Sequence, residues 1–161
     1  MKPTINKSNL KSMSNDCFFA LLEQELADHF SVRFRVKGTS MEPLLRDNRD
    51  EVQLIAYKGQ SLTPGNICLF KFNGRYILHR YLRQEGNRLC FQGDNVVTHY
   101  EYCTPNEVVG VVKTIYRDAK VFPGDTTEWK YLILLNRFKQ RVRLVIAACI
   151  PRSIKNFIKR R

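Results

Sequence analysis

The spacing of apolar residues changes from a helical period to a strand period near residue 31. Apolar side chains recur every three or four residues over positions 19–30, behind a capping residue at Asn15 or Asp16. This spacing predicts an amphipathic helix packed on the body of the protein. From Val32 to Lys37 the period is two, because apolar residues alternate with arginine and lysine. The alternation predicts a half-buried strand with a basic outer face.

Short runs of strand-forming residues, separated by turn residues, continue through most of the chain. Asn73-Gly74 separates the runs Ile67–Phe72 and Arg75–Leu82 and predicts a hairpin. Gly110 interrupts a later run and predicts a bulge or a close backbone approach. Further strands are predicted at 51–55, 89–92 and 108–116. The fold class expected is mainly β, a twisted body of short strands with an N-terminal helix.

A separate pattern begins after Pro123-Gly124-Asp125. Residues 129–161 contain 10 Lys+Arg and no Asp or Glu, whereas residues 1–128 contain 17 Lys+Arg and 15 Asp+Glu. At ~100° per residue, the apolar residues of the tail fall within one arc, which predicts an amphipathic helix. Pro151 is expected to end or kink this helix. These apolar residues are Tyr131, Leu134, Leu135, Phe138, Val142, Val145, Ile146 and Cys149.

This pattern predicts a basic amphipathic helical tail. We interpret it as an anchor on anionic lipid; the alternatives are a cover for the protein's own core and a dock for an acidic partner. Nucleic acid is disfavoured, because the tail carries no recognisable reading motif. The expected organisation is an N-terminal arm and helix at 1–31, a β domain at 32–122 and the tail at 123–161.

Length and composition place the chain among single-domain globular proteins. It has 161 residues and a net charge of +12, and it shows neither a cleavable signal peptide nor a run of ~18 apolar residues that would span a bilayer. Its five cysteines are odd in number and have no metal-site spacing, which indicates a reducing compartment. We therefore expect a cytoplasmic protein, or one associated peripherally with the inner face of a membrane, without a metal or other cofactor.

Candidate chemistry is concentrated at Gly38-Thr39-Ser40-Met41-Glu42-Pro43, directly after the predicted strand. A serine behind a glycine at a strand end can present its hydroxyl and its own N–H to a bound carbonyl. A Gly-x-Ser triplet alone is weak evidence, since these residues also form ordinary turns. Further sequence blocks after the triplet strengthen its interpretation as a nucleophile site.

Four further blocks follow in order. They are Pro64-Gly65-Asn66-Ile67, Tyr76-Ile77-Leu78-His79-Arg80, Phe91-Gln92-Gly93-Asp94-Asn95 and Val108-Val109-Gly110-Val111. With the serine block, this set resembles the serine peptidase superfamily that includes signal peptidase I and the LexA-like self-cleaving proteins. The resemblance covers roughly residues 33–117 and implies a coiled β fold.

The resemblance also implies roles for individual residues. Ser40 would be the nucleophile, and His79 stands where bacterial signal peptidases carry a lysine base, so the chain is closest to the endoplasmic-reticulum-type branch, which uses serine and histidine. An imidazole titrates near neutrality and can act as a base without severe desolvation. Asp94 matches the position of an acid in that branch and would orient His79. The Ser40 N–H, with the Thr39 hydroxyl as a further donor, would bind the oxyanion.

Each of these residues also has a structural interpretation, His79 as a polar residue on a hairpin and Asp94 as a turn residue. Three functions are compatible with these residues. The first is a signal-peptidase-like serine endopeptidase that cleaves a leader or signal-like segment from a precursor. The second is a LexA-like self-cleaving regulator, disfavoured by His79 and by the absence of an Ala-Gly or Cys-Gly pair in residues 1–32. The third is a non-catalytic basic module that binds lipid or nucleic acid.

Overall fold

A computed structural model of the chain describes residues 15–29, 31–96 and 99–124, and isolated helical positions of the tail at 134, 135, 138, 139, 141, 142 and 145. Helix α1 covers Asn15–His29 and precedes the strands. The strands are β1 (Ser31–Arg35), β2 (Glu51–Ala56), β3 (Ile67–Phe72), β4 (Arg75–Glu85), β5 (Arg88–Gln92), β6 (Glu101–Cys103), β7 (Val108–Arg117) and β8 (Lys120–Pro123). A short 3₁₀ turn, Pro105–Glu107, precedes β7.

The strands form one curled antiparallel sheet in the order β1-β2-β7-β3-β4-β5-β6. Strand β7 lies at its centre, pairing with β2, with β3 and, near its C-terminal end, with β8. Strand β1 pairs with β2 and occupies one end of this order. The mainly β fold class expected from the sequence is confirmed.

The core consists of two groups of buried side chains. One contains Leu22 and Leu26 of α1, together with apolar residues of β1, β2, β7 and the segment after β1. The other is centred on Phe70 and Phe91, whose rings stack at 4.2 Å between centroids. Because Leu22 and Leu26 are spaced by four residues, they lie on one helix face and bury it against the sheet. The predicted N-terminal helix and its packing are confirmed.

The predicted hairpin and the predicted close approach at Gly110 are also present. Asn73 and Gly74 have φ values of 49° and 73°, as a two-residue turn between twisted strands requires. A Cβ added to Gly110 would lie 2.8 Å from the Ile55 carbonyl oxygen, so only glycine fits between β7 and β2 there. Strands β6 and β8 were not predicted, and β4 continues to Glu85, three residues beyond its predicted end.

Most of the basic tail lies outside the described residues. At the described positions between 134 and 145 the backbone is helical, and apolar side chains are exposed, among them Leu134, Phe138 and Val145. No helix within the described part of the chain is long and apolar enough to cross a bilayer.

Candidate active site

Ser40 lies in a tight turn that follows β1, here called the Ser40 turn (residues 38–45). Gly38 opens the turn with a φ of 93°, a left-handed conformation that favours glycine. The Gly38 N–H donates to Asp47 Oδ1 at 2.7 Å. Met41 and Leu45 are buried in the core, and the Leu45 N–H donates to the Met41 carbonyl at 2.9 Å. The buried side chains of Met41 and Leu45 thus anchor the turn in the core, while Ser40 stays partly exposed.

A buried carboxylate holds the far end of this turn. Asp50 is fully buried and accepts hydrogen bonds from Arg49, Arg117 and the Arg46 N–H. Arg117 also donates to the Leu44 carbonyl inside the turn. Burial by itself would raise the pKa of Asp50, but the hydrogen bonds from Arg49, Arg117 and Arg46 outweigh it and hold that pKa below its ordinary value. Asp50 therefore remains ionised and ties β7 to the Ser40 turn.

His79 is positioned by the hairpin of β3 and β4. It pairs with Cys68 across the hairpin and is only 5% exposed. Its Nδ1 lies 3.0 Å from Oε2 of Glu101, a buried residue on β6. The tautomer in which Nδ1 donates to a Glu101 carboxylate leaves Nε2 as the basic nitrogen of the ring.

Ser40 and His79 line the same cleft, which has a volume of about 310 Å³. Gly93 shows how closely the two residues approach. A Cβ built on Gly93 would lie 2.7 Å from the Ser40 carbonyl oxygen and 2.8 Å from His79 Nε2. Within the described residues no hydrogen bond joins the Ser40 hydroxyl to His79; such bonds often form only when substrate is bound.

The carboxylate beside His79 differs from the one expected from the sequence. Asp94 Oδ1 and Oδ2 accept from Arg80 at 2.8 and 2.6 Å in a buried bidentate pair. The His79 ring is hydrogen-bonded to Glu101 instead. His79 and Arg80 are neighbours on β4 and so point to opposite faces of the strand. The geometry thus gives Glu101 the orienting position that the sequence assigned to Asp94.

The loop containing Asp94 supports the Ser40 turn through its backbone. The Asn95 N–H donates to the Ser40 carbonyl at 2.8 Å, and Asn95 Nδ2 donates to the Thr39 carbonyl at 3.3 Å. Because the Arg80–Asp94 pair anchors this loop to β4, it also sets the position of Ser40 relative to the hairpin that carries His79.

The oxyanion donors expected from the sequence are accessible. Among the described residues, the Ser40 N–H forms no hydrogen bond with the protein, and Thr39 is exposed. The Thr39 carbonyl accepts from the Glu42 N–H at 3.1 Å, which closes the turn. The Ser40 N–H is therefore available to a ligand carbonyl in the cleft.

Glu101 is the site residue that the sequence analysis missed. Its strand has three residues, of which Glu101 and Cys103 are buried and Tyr102 is half-buried. In the sequence, the one signal for Glu101 was the alternation over Glu101-Tyr102-Cys103, which places the Glu101 carboxylate on the same buried strand face as Cys103. His99, which is exposed, has Nε2 3.9 Å from the other Glu101 oxygen; no sequence block had assigned His99 a role.

The described residues contain no group of three or more His, Cys, Asp or Glu side chains that could hold a metal ion. The expectation of no metal and no other cofactor stays a prediction. Together, the hydroxyl, the imidazole with its carboxylate and the available N–H can support attack on a carbonyl.

Comparison with known proteins agrees with this chemistry. A protein-family model described as Peptidase S24-like matches residues 7–115, more than half of the chain. A search of curated proteins finds no match to the chain.

Proposed function

This chain belongs to the Peptidase S24-like family, and from that premise we propose that it is a signal-peptidase-like serine endopeptidase. The proposed reaction removes a leader or signal-like segment from a precursor. The observation that carries this proposal is the shared cleft of Ser40 and His79, with the His79 ring held by buried Glu101.

The proposed mechanism uses the same groups of the site in both half-reactions. Ser40 Oγ attacks the scissile carbonyl while His79 Nε2 takes its proton, and Glu101 stabilises the imidazolium that forms. The Ser40 N–H binds the oxyanion. His79 then gives its proton to the leaving amine, and the peptide bond breaks to leave an acyl-enzyme. A water molecule, deprotonated by His79, releases the second product and restores the Ser40 hydroxyl.

Strand geometry supports an extended substrate. Strand β1 occupies one end of the sheet order. In the described residues, the Arg75–His79 part of β4 pairs only with β3, since pairing of β4 with β5 starts at Arg80. Backbone groups of both segments are therefore available to hydrogen-bond an added strand.

The basic tail supports a second part of the proposal, attachment to the surface of an anionic membrane. Leu134, Phe138 and Val145 are 66%, 68% and 63% exposed and share one helix face by their spacing. The ten Lys and Arg residues of positions 129–161 are unopposed by acid, which favours anionic lipid. Co-sedimentation with vesicles tests this: more protein should sediment with vesicles containing phosphatidylserine than with vesicles of phosphatidylcholine alone, which carry no net charge. Equal amounts of sedimented protein with the two kinds of vesicle would contradict the proposal.

The test of the peptidase proposal is cleavage of small precursor proteins encoded beside its gene. The wild-type chain should cut at least one of them, and Ser40→Ala should cut none. Ser61→Ala is the matched control, because Ser61 is an exposed loop serine, and this variant should cut like the wild type. Unchanged cleavage by Ser40→Ala would refute the nucleophile assignment.

The family also includes LexA-like self-cleaving proteins, and membership favours self-cleavage as the alternative. Intact-mass analysis of the purified chain at raised pH distinguishes the two. Loss of an N-terminal fragment from the wild type, but not from Ser40→Ala, would favour self-cleavage.

A further inference from the structure

The cleft beside Ser40 carries positive charge on both walls. Its lining comes from two segments, Val36–Met41 and Arg75–His79. Lys37 belongs to the first segment and Arg75 to the second, and both are exposed. Among the described residues that line the cleft, none is Asp or Glu.

Lys37 and Arg75 differ from other basic residues near the cleft in their ion pairing. Within the described part of the chain, neither Lys37 nor Arg75 forms an ion pair. Nearby basic residues behave differently: Arg33 and Arg35 bind Glu51 at 2.8 and 3.0 Å, and Lys71 binds Glu23 at 2.8 Å. Lys37 and Arg75 thus differ from these basic neighbours, each of which shares or holds a carboxylate partner, and both of them line the cleft.

Strand geometry sets the distance between this charge and the reacting groups. Every second residue of β4 points to the same face of the strand, so Arg75, Ile77 and His79 share one face. Four residues of a strand span about 13 Å, and an extended peptide beside β4 has nearly the same rise per residue. The substrate side chain that meets Arg75 is therefore about four residues from the bond beside His79. Lys37 reaches the cleft from the opposite wall, three residues before Ser40.

We propose that the cleft selects substrates with an Asp or Glu about four residues from the cleaved bond, bound between Lys37 and Arg75. This inference rests on the proposed peptidase function and names the chemical class of its substrate. A carboxylate would complete the ion pairs that the protein leaves open, whereas a substrate lysine there would be repelled by both cations.

The experiment uses 12-residue peptides of small residues, each with a single Glu, Gln or Lys at one scanned position. The full chain cleaves equimolar mixtures, and mass spectrometry gives relative kcat/KM. In parallel, fluorescence anisotropy measures binding of the labelled peptides to Ser40→Ala. Exposed ion pairs of this kind change affinity by about 2- to 5-fold each, so Glu should be preferred over Lys by about tenfold at one position. The preference should shrink in 0.5 M salt.

Charge reversal tests the assignment to these two residues. The double variant Lys37→Glu, Arg75→Glu should prefer the Lys peptides, while Lys120→Glu, an exposed reversal on β8, should keep the wild-type preference. Equal cleavage and equal binding of Glu and Lys peptides, or no binding of either, would overturn the inference. Failure of the peptidase function is distinct: Glu peptides would then bind Ser40→Ala preferentially, but no peptide would be cut by the wild type.

Discussion

Replacing Glu101 with Gln should damage catalysis while leaving the fold nearly intact. Gln has the same shape and can still hydrogen-bond the ring, but it cannot stabilise an imidazolium by charge. A hydrogen bond to a charged group is worth about 1.5–3 kcal/mol, which corresponds to a loss of about 10- to 150-fold in kcat/KM. If the Gln amide donates to Nδ1, it fixes the wrong tautomer, and the loss can reach about 10⁴-fold.

Asp94→Asn is the matched comparison, because it neutralises the buried carboxylate that pairs with Arg80, the neighbour of His79 on β4. It leaves the Arg80 guanidinium, 2% exposed, without its charged partner. Breaking a buried pair in this way costs about 3–5 kcal/mol, or a fall in Tm of roughly 10 °C for a chain of this size. Glu101→Gln should change Tm by only a few degrees.

The assay combines kcat/KM on one cleavable precursor, measured well below both melting temperatures, with thermal unfolding of each variant. Glu101→Gln should lose activity more than stability, and Asp94→Asn should lose stability more than activity. The reverse pattern would show that Asp94 orients His79, as the sequence motif alone suggested.

Two further predictions concern the Ser40 turn. Gly93→Ala would place a methyl group 2.8 Å from His79 Nε2 and 2.7 Å from the Ser40 carbonyl oxygen, so one of these groups must move by more than half an ångström. Because a misplacement of 1 Å costs about 10²-fold in rate, kcat/KM should fall about 10- to 100-fold. Wild-type kinetics of this variant would contradict the packing. The folded-state pKa of Asp50 lies below its ordinary value of 3.8, so ionised Asp50 adds stability above about pH 4, and this stability is lost as the pH falls through the folded-state pKa. Asp50→Asn should therefore lower Tm at pH 7, and its Tm should fall less than that of the wild type between pH 5 and pH 2. Plots of Tm against pH that run parallel for the two proteins would contradict this prediction.

The fold was predictable because local signals agreed with one another. The helix followed from the spacing of Leu22 and Leu26, and the hairpin from Asn73-Gly74, since each depends on residues close in sequence. Strand β6 was missed because three residues give too little periodicity to detect. Strand β8 was missed because its pairing partner, β7, rather than its own pattern, defines it.

The site was predictable only in part, for a related reason. Ser40 and His79 come from motif blocks, and the sheet brings these blocks to one cleft. The choice between Asp94 and Glu101 depends on competition in three dimensions, since Arg80 binds the first carboxylate and leaves the second for His79. A sequence motif records neighbours along the chain and not this competition.

Cooperation between Ser40 and His79 is most directly measured by a kinetic double-mutant cycle on one precursor. Ser40→Ala and His79→Ala should each lower kcat/KM by at least about 10³-fold, and the double variant should be no worse than either single variant, because groups that act as one unit are not additive. A double variant whose loss equals the product of the two single losses would contradict the account.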